Sequence, residues 1–131
     1  MFESFFNKAS IWLEAFVNVV VDIINRVISY FTDVIGWFKS KLKGARNKVA
    51  YIIKVAKLME ILRGKGLKGL FDKGNVKVIT NTGIYEDNSV AEIVHDEQND
   101  KITDLRLLGS DQGMDVELRD ILDSGDLVKL T

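Results

Sequence analysis

The stretch from Ile11 to Phe38, IWLEAFVNVVVDIINRVISYFTDVIGWF, constrains this chain more than any other: it is mostly aliphatic and aromatic, yet polar residues recur throughout it. At 100° per residue, Glu3, Asn7, Glu14, Asn18, Asp22, Asn25, Ser29, Thr32 and Asp33 share one arc of a helical wheel. Phe5, Trp12, Phe16, Val20, Ile23, Ile24, Val27, Phe31, Val34, Ile35 and Phe38 fill the wider arc, with Ile11 and Val21 out of place among the polar residues. The period predicts a helix from about Phe2 to Ser40.

About 20 mainly apolar residues cross ~30 Å of hydrocarbon, so length permits a membrane span. Composition opposes a lone one. Asp22 and Arg26 would lie near its middle, and each isolated charge there costs roughly 2.5 to 3.5 kcal/mol. Three arrangements avoid that penalty. The helix can lie in the membrane interface with its polar stripe wet, several copies can turn the stripe inward, or the apolar arc can be the core of a soluble oligomeric bundle. In each, Trp12, Phe16, Val20, Ile23, Val27, Phe31, Val34 and Phe38 form the membrane or self-association face. Glu14, Asn18, Asp22, Asn25 and Asp33 form the polar stripe. A secretory leader is not expected, because Glu14, Asn18 and Asp22 interrupt the apolar run and no small-residue cleavage site follows.

The net charge of −1 over 131 residues conceals three blocks: −2 in residues 1–38, +10 in residues 39–77 and −9 in residues 78–131. The middle block seeks an anionic surface: lipid headgroups, nucleic acid or the protein's own acidic end. A polybasic run directly after an apolar helix also fits a cytoplasmic or interior flank. Within the run, Leu42, Ala45, Val49, Ile52, Ala56 and Met59 repeat at helical spacing, and Lys43, Asn47, Lys54 and Lys57 lie opposite. This predicts a second, cationic amphipathic helix, divided from the first at Gly44 or continuous with it. Lys43, Lys54, Lys57, Lys65 and Lys68 are the expected contacts to an anionic surface. Gly64 to Gly69 match G-x-G-x-x-G, but no strand precedes them, so the segment reads as a basic linker.

After Gly74 the period falls to two. Val76 to Thr80, Ser89 to Val94, Lys101 to Leu108, Met114 to Leu118 and Leu127 to Leu130 read as short strands, with a polar reversal over Asp96 to Asp100 and a helical turn over Arg119 to Leu122. AEIV (Ala91 to Val94), DKITDLRLLG (Asp100 to Gly109) and DVELRDIL (Asp115 to Leu122) resemble an SH3-like or Tudor-like barrel. The resemblance implies a barrel fold and a peptide-binding or docking role. It carries no binding residue, because a cage for a methylated cation needs several aromatics and the region offers only Tyr85.

The expected fold is therefore α+β: a long N-terminal amphipathic helical arm of one or two helices (1–63), a basic glycine-rich linker (64–75) and a small acidic SH3-like or rolled antiparallel β domain (76–131). Residues 74–131 should fold alone. No catalytic, cofactor or metal constellation is visible. Zero Cys removes thiolate chemistry, and His95, the single histidine, reads as an exposed hairpin-end residue beside Asp96 and Glu97. These features predict a non-enzymatic, membrane-associated structural or assembly protein, such as a minor component of a membrane-containing particle. It would be a homo-oligomer on anionic headgroups, with its β domain free to dock a protein partner. The alternatives are a membrane-permeabilising pore, a soluble helical bundle and a nucleic-acid binder, the last weakened by the few aromatics in the basic block.

Overall fold

A sheet, not a helical arm, organises the apolar residues that the structure describes. The computed structural model describes residues 19–62, 76–78, 88–125 and 127–130. Strand β1 (Val19–Ile24) is followed by a π-helical segment, Tyr30–Ile35, that runs directly into helix α1 (Gly36–Leu42). Next come β2 (Lys48–Lys54), α2 (Val55–Leu62), β3 (Val76–Val78), β4 (Ser89–Asp96), β5 (Lys101–Ser110), α3 (Val116–Asp123) and β6 (Val128–Leu130). The strands form one mixed sheet in the order β3-β1-β5-β4-β2-β6. β1 is parallel to both its neighbours, while β5, β4, β2 and β6 are successively antiparallel.

This corrects the expected fold class. Val19–Ile24 reads VVVDII, with five β-branched residues in six, and such side chains pack better on a pleated surface than in a helix. The continuous N-terminal helix is therefore not formed, and its longest described helical remnant is the six-residue π segment joined to the seven residues of α1. The cationic second helix is not formed as expected either: KVAYIIK is strand β2, and only Val55–Leu62 beyond it is helical. Strands from both the basic and the acidic blocks share one sheet, so the acidic end does not close a separate SH3-like barrel.

The core explains why the wheel misled. On one sheet face Ala50, Ile52, Val90, Val94 and Leu108 pack with Ile28, Val34, Phe38, Met114, Leu118 and Leu122. By strand alternation the opposite face carries Val21, Ile53, Ala91, Ile93, Leu105 and Leu107, which are also buried. Strands covered on both faces read as apolar runs rather than as alternation. α2 packs against β2 and β4, and its Val55 and Leu58 are buried.

Local chemistry fixes the breaks between elements. Ser29 Oγ accepts the Thr32 N–H at 3.3 Å and opens the π segment. Gly44, at φ +75°, ends α1 in a conformation that a β-carbon disfavours. In the β4–β5 turn Asp96 accepts the Asn99 side-chain amide at 2.8 Å and the backbone N–H groups of Asn99 and Gln98, which holds its carboxyl below the usual range. The strand expected over Met114 to Leu118 is replaced. Met114 makes an isolated parallel bridge to Ile28, and Asp115 Oδ1 caps α3 by accepting the Leu118 N–H at 2.7 Å.

Candidate interaction surfaces

The most polar part of the core lies between α1 and the sheet. Glu92 stands on β4 opposite Arg106 on β5 and is fully buried. Arg106 donates from Nε to Glu92 Oε1 at 2.6 Å, and its Nη2 lies 2.6 Å from the same oxygen. That Nη2 also donates to the Asp33 carbonyl at 2.7 Å, and the guanidinium sits 5.2 Å from the centroid of the Trp37 ring. Lys41 stacks on the same ring at 5.7 Å and pairs with Asp104 at 3.4 Å. One cation thus ties two strands to the π segment and α1. Burial pushes the Glu92 carboxyl up to about 8; Arg106 pulls against it, while Asp33 and Asp22 reinforce the rise. This arrangement orients a helix rather than opening a site.

The described cations of the basic block differ in their surroundings. Lys54 Nζ pairs with Asp123 at 2.8 Å and Lys41 with Asp104, so the acidic end of the chain neutralises part of the basic block. Lys57 is half-buried and engaged in an interaction. Lys39, Lys43 and Arg46 are exposed, and none pairs with an acid among the described residues. Lys39 lies in the last turn of α1, Lys43 caps that helix, and Arg46 follows Gly44 on the way to β2. No acid occurs between Asp33 and Glu60, so nothing local offsets them.

The predicted association face and polar stripe are dispersed by the strand. Trp12, Phe16, Glu14, Asn18, Lys65 and Lys68 lie outside the described residues. Val20 and Ile23, both half-buried on β1, point to opposite sheet faces. Val34 and Phe38 are core, whereas Val27 and Phe31 are exposed. Asp22 is half-buried on β1 and Asn25 is exposed, its carbonyl accepting from Gln112 Nε2 at 2.6 Å. Asp33 is a salt-bridge partner, receiving Arg26 Nη1 at 2.8 Å and the Ser29 N–H at 3.3 Å. These residues therefore do not form one face and one stripe.

Residues that the sequence reading passed over matter more here. Glu92 and Arg106 lie 14 positions apart and meet only through strand register. Lys39 and Arg46 sit in the basic block with no local sign that they, rather than Lys54, stay exposed. His95 corrects its expected place: it is buried near the end of β4, 8% exposed, with Nε2 3.2 Å from Asp100 Oδ1. Among the described residues no three His, Asp or Glu side chains converge in a way that could hold a metal ion. No helix among them is long and apolar enough to cross a membrane. Against known protein families, curated proteins and solved structures, the chain has no match.

Proposed function

We propose that this protein is a non-enzymatic structural or assembly protein that rests on an anionic membrane surface and uses its sheet domain to hold partners there. The observation that carries the reading is the set of exposed cations, Lys39, Lys43 and Arg46, on the last turn of α1 and the segment after it. Elsewhere the fold ties Lys41 and Lys54 to acids of its own, yet it leaves these three facing solvent. A set of this kind attracts anionic headgroups with roughly 1 kcal/mol per charge near the surface. Nucleic acid fits less well, because Phe38, next to Lys39, is buried and Trp37 is engaged by Arg106 and Lys41, so neither ring offers a free stacking platform.

Flotation with vesicles tests the reading. The chain should float with phosphatidylserine-containing vesicles at low salt, stay down with neutral phosphatidylcholine vesicles, and be released by high salt. The variant Lys39→Gln, Lys43→Gln, Arg46→Gln should lose most of the binding. Equal flotation of that variant, or tighter retention of a labelled oligonucleotide than of anionic vesicles, would overturn the assignment.

A further inference from the structure

We propose that Val27, Phe31 and Val116 form a docking patch for a short, basic, amphipathic segment of another protein. These are the large hydrophobic side chains left exposed among the described residues, at 42%, 64% and 71%. They come from two chain segments laid side by side. Ile28 bridges Met114, the Ile28 N–H donates to the Gly113 carbonyl at 2.9 Å, and the Asp115 N–H donates back to the Ile28 carbonyl at 3.0 Å. The Tyr30 N–H donates to Asp115 Oδ2 at 2.8 Å across 85 positions of sequence. Val27, Phe31 and Val116 each lie within two positions of a residue in this set of bonds, and Phe31 packs edge-on to Tyr30 with ring centroids 5.2 Å apart. The backbone beneath the patch is thus hydrogen-bonded in advance, which lowers the ordering cost of binding.

Charge selects the occupant. Asp111, Glu117 and Asp120 are exposed on the segments that carry Met114 and Val116. Glu117 follows Val116 directly in α3, and Asp120 lies one helical turn beyond Val116. Arg26 is already paired with Asp33, which leaves Arg119 as the exposed cation of α3. A two-fold contact with a second copy would set these acids against themselves. Three side chains also fall short of the ~800 Å² per partner that a stable dimer buries. A single apolar side chain flanked by Lys or Arg meets both requirements. The patch is independent of the proposed lipid contact, because Phe31 and Lys39 sit eight positions apart, roughly 10 Å along the helical run.

Fluorescence anisotropy with a labelled synthetic helical peptide of Leu and Lys, its leucines on one face, tests the patch on the full chain. The wild type should bind in a salt-dependent manner. Phe31→Ser and Val116→Ser, with unchanged circular dichroism, should each weaken binding about tenfold. Glu117→Lys with Asp120→Lys should weaken it further, whereas Glu97→Lys in the β4–β5 turn should leave it unchanged. Binding indifferent to Phe31→Ser and Val116→Ser would mean diffuse charge attraction and overturn the proposal. So would equal binding of a Leu and Glu peptide, or a wild-type dimer in sedimentation that Phe31→Ser dissolves.

Discussion

Glu92 makes the stability of this protein depend on pH. Its folded-state carboxyl lies near 8 against an ordinary 4.5, so between those values the native state keeps a proton that the unfolded chain has released. The contribution is fully present below the lower value and is lost as pH rises through the upper one. Urea midpoints should therefore fall from pH 5 to pH 8, by an amount equivalent to a few kcal/mol at most. Glu92→Gln should flatten that slope; an unchanged slope would move its origin to another group. Gly44 gives a second test at the same scale. A β-carbon there meets nothing within 4 Å, so the penalty of Gly44→Ala is backbone strain alone at φ +75°. The expected loss is about 1 kcal/mol by urea denaturation.

At the scale of elements, Asp115 joins two of them. Its Oδ1 caps α3 and its Oδ2 holds the Tyr30 N–H at the start of the π segment. Asp115→Ala should cost about 1 to 2 kcal/mol. Asp115→Asn, which keeps an acceptor for the cap, should cost less, and the difference between their urea midpoints reads the two bonds apart. How far such elements were legible depended on their environment. The β4–β5 hairpin was readable because the polar residues Asp96 to Asp100 mark its turn, and β6 because Val128 and Leu130 alternate with Lys129. β1 and β2 were not. Ile52 and Ile53 are both fully buried, so β2 shows no alternation, and the helical spacing from Leu42 to Met59 is a coincidence spread over a helix end, a strand and another helix. Around Asp115 the opposite error arose: Met114, Val116 and Leu118 alternate like a strand, and the capping role of the aspartate outweighed that pattern. The candidate surfaces were partly legible. The basic block was visible as composition, but which of its lysines meet Asp104 and Asp123 depends on tertiary placement.

For the whole molecule, the sheet order argues against the acidic end folding alone. β5 loses β1 and β4 loses β2 if residues 1–75 are removed, and each exposes a long edge. Residues 76–131 expressed alone should be largely unfolded or aggregated, with a collapsed amide spectrum by nuclear magnetic resonance. A dispersed spectrum would show that the β4–β5 hairpin with α3 is self-sufficient.

The parallel pairing of β1 with β5 also governs how the chain is made. Residues 19–24 cannot complete their hydrogen bonds until residues 105–110 have been synthesised. During translation VVVDII and KVAYIIK emerge first, both rich in strand-forming side chains and both without their partners. Refolding from denaturant should accordingly fall in the millisecond-to-second range of topologies dominated by distant contacts. The period of greatest aggregation hazard is the interval before β5 leaves the ribosome, when two sticky strands wait for a hairpin that does not yet exist.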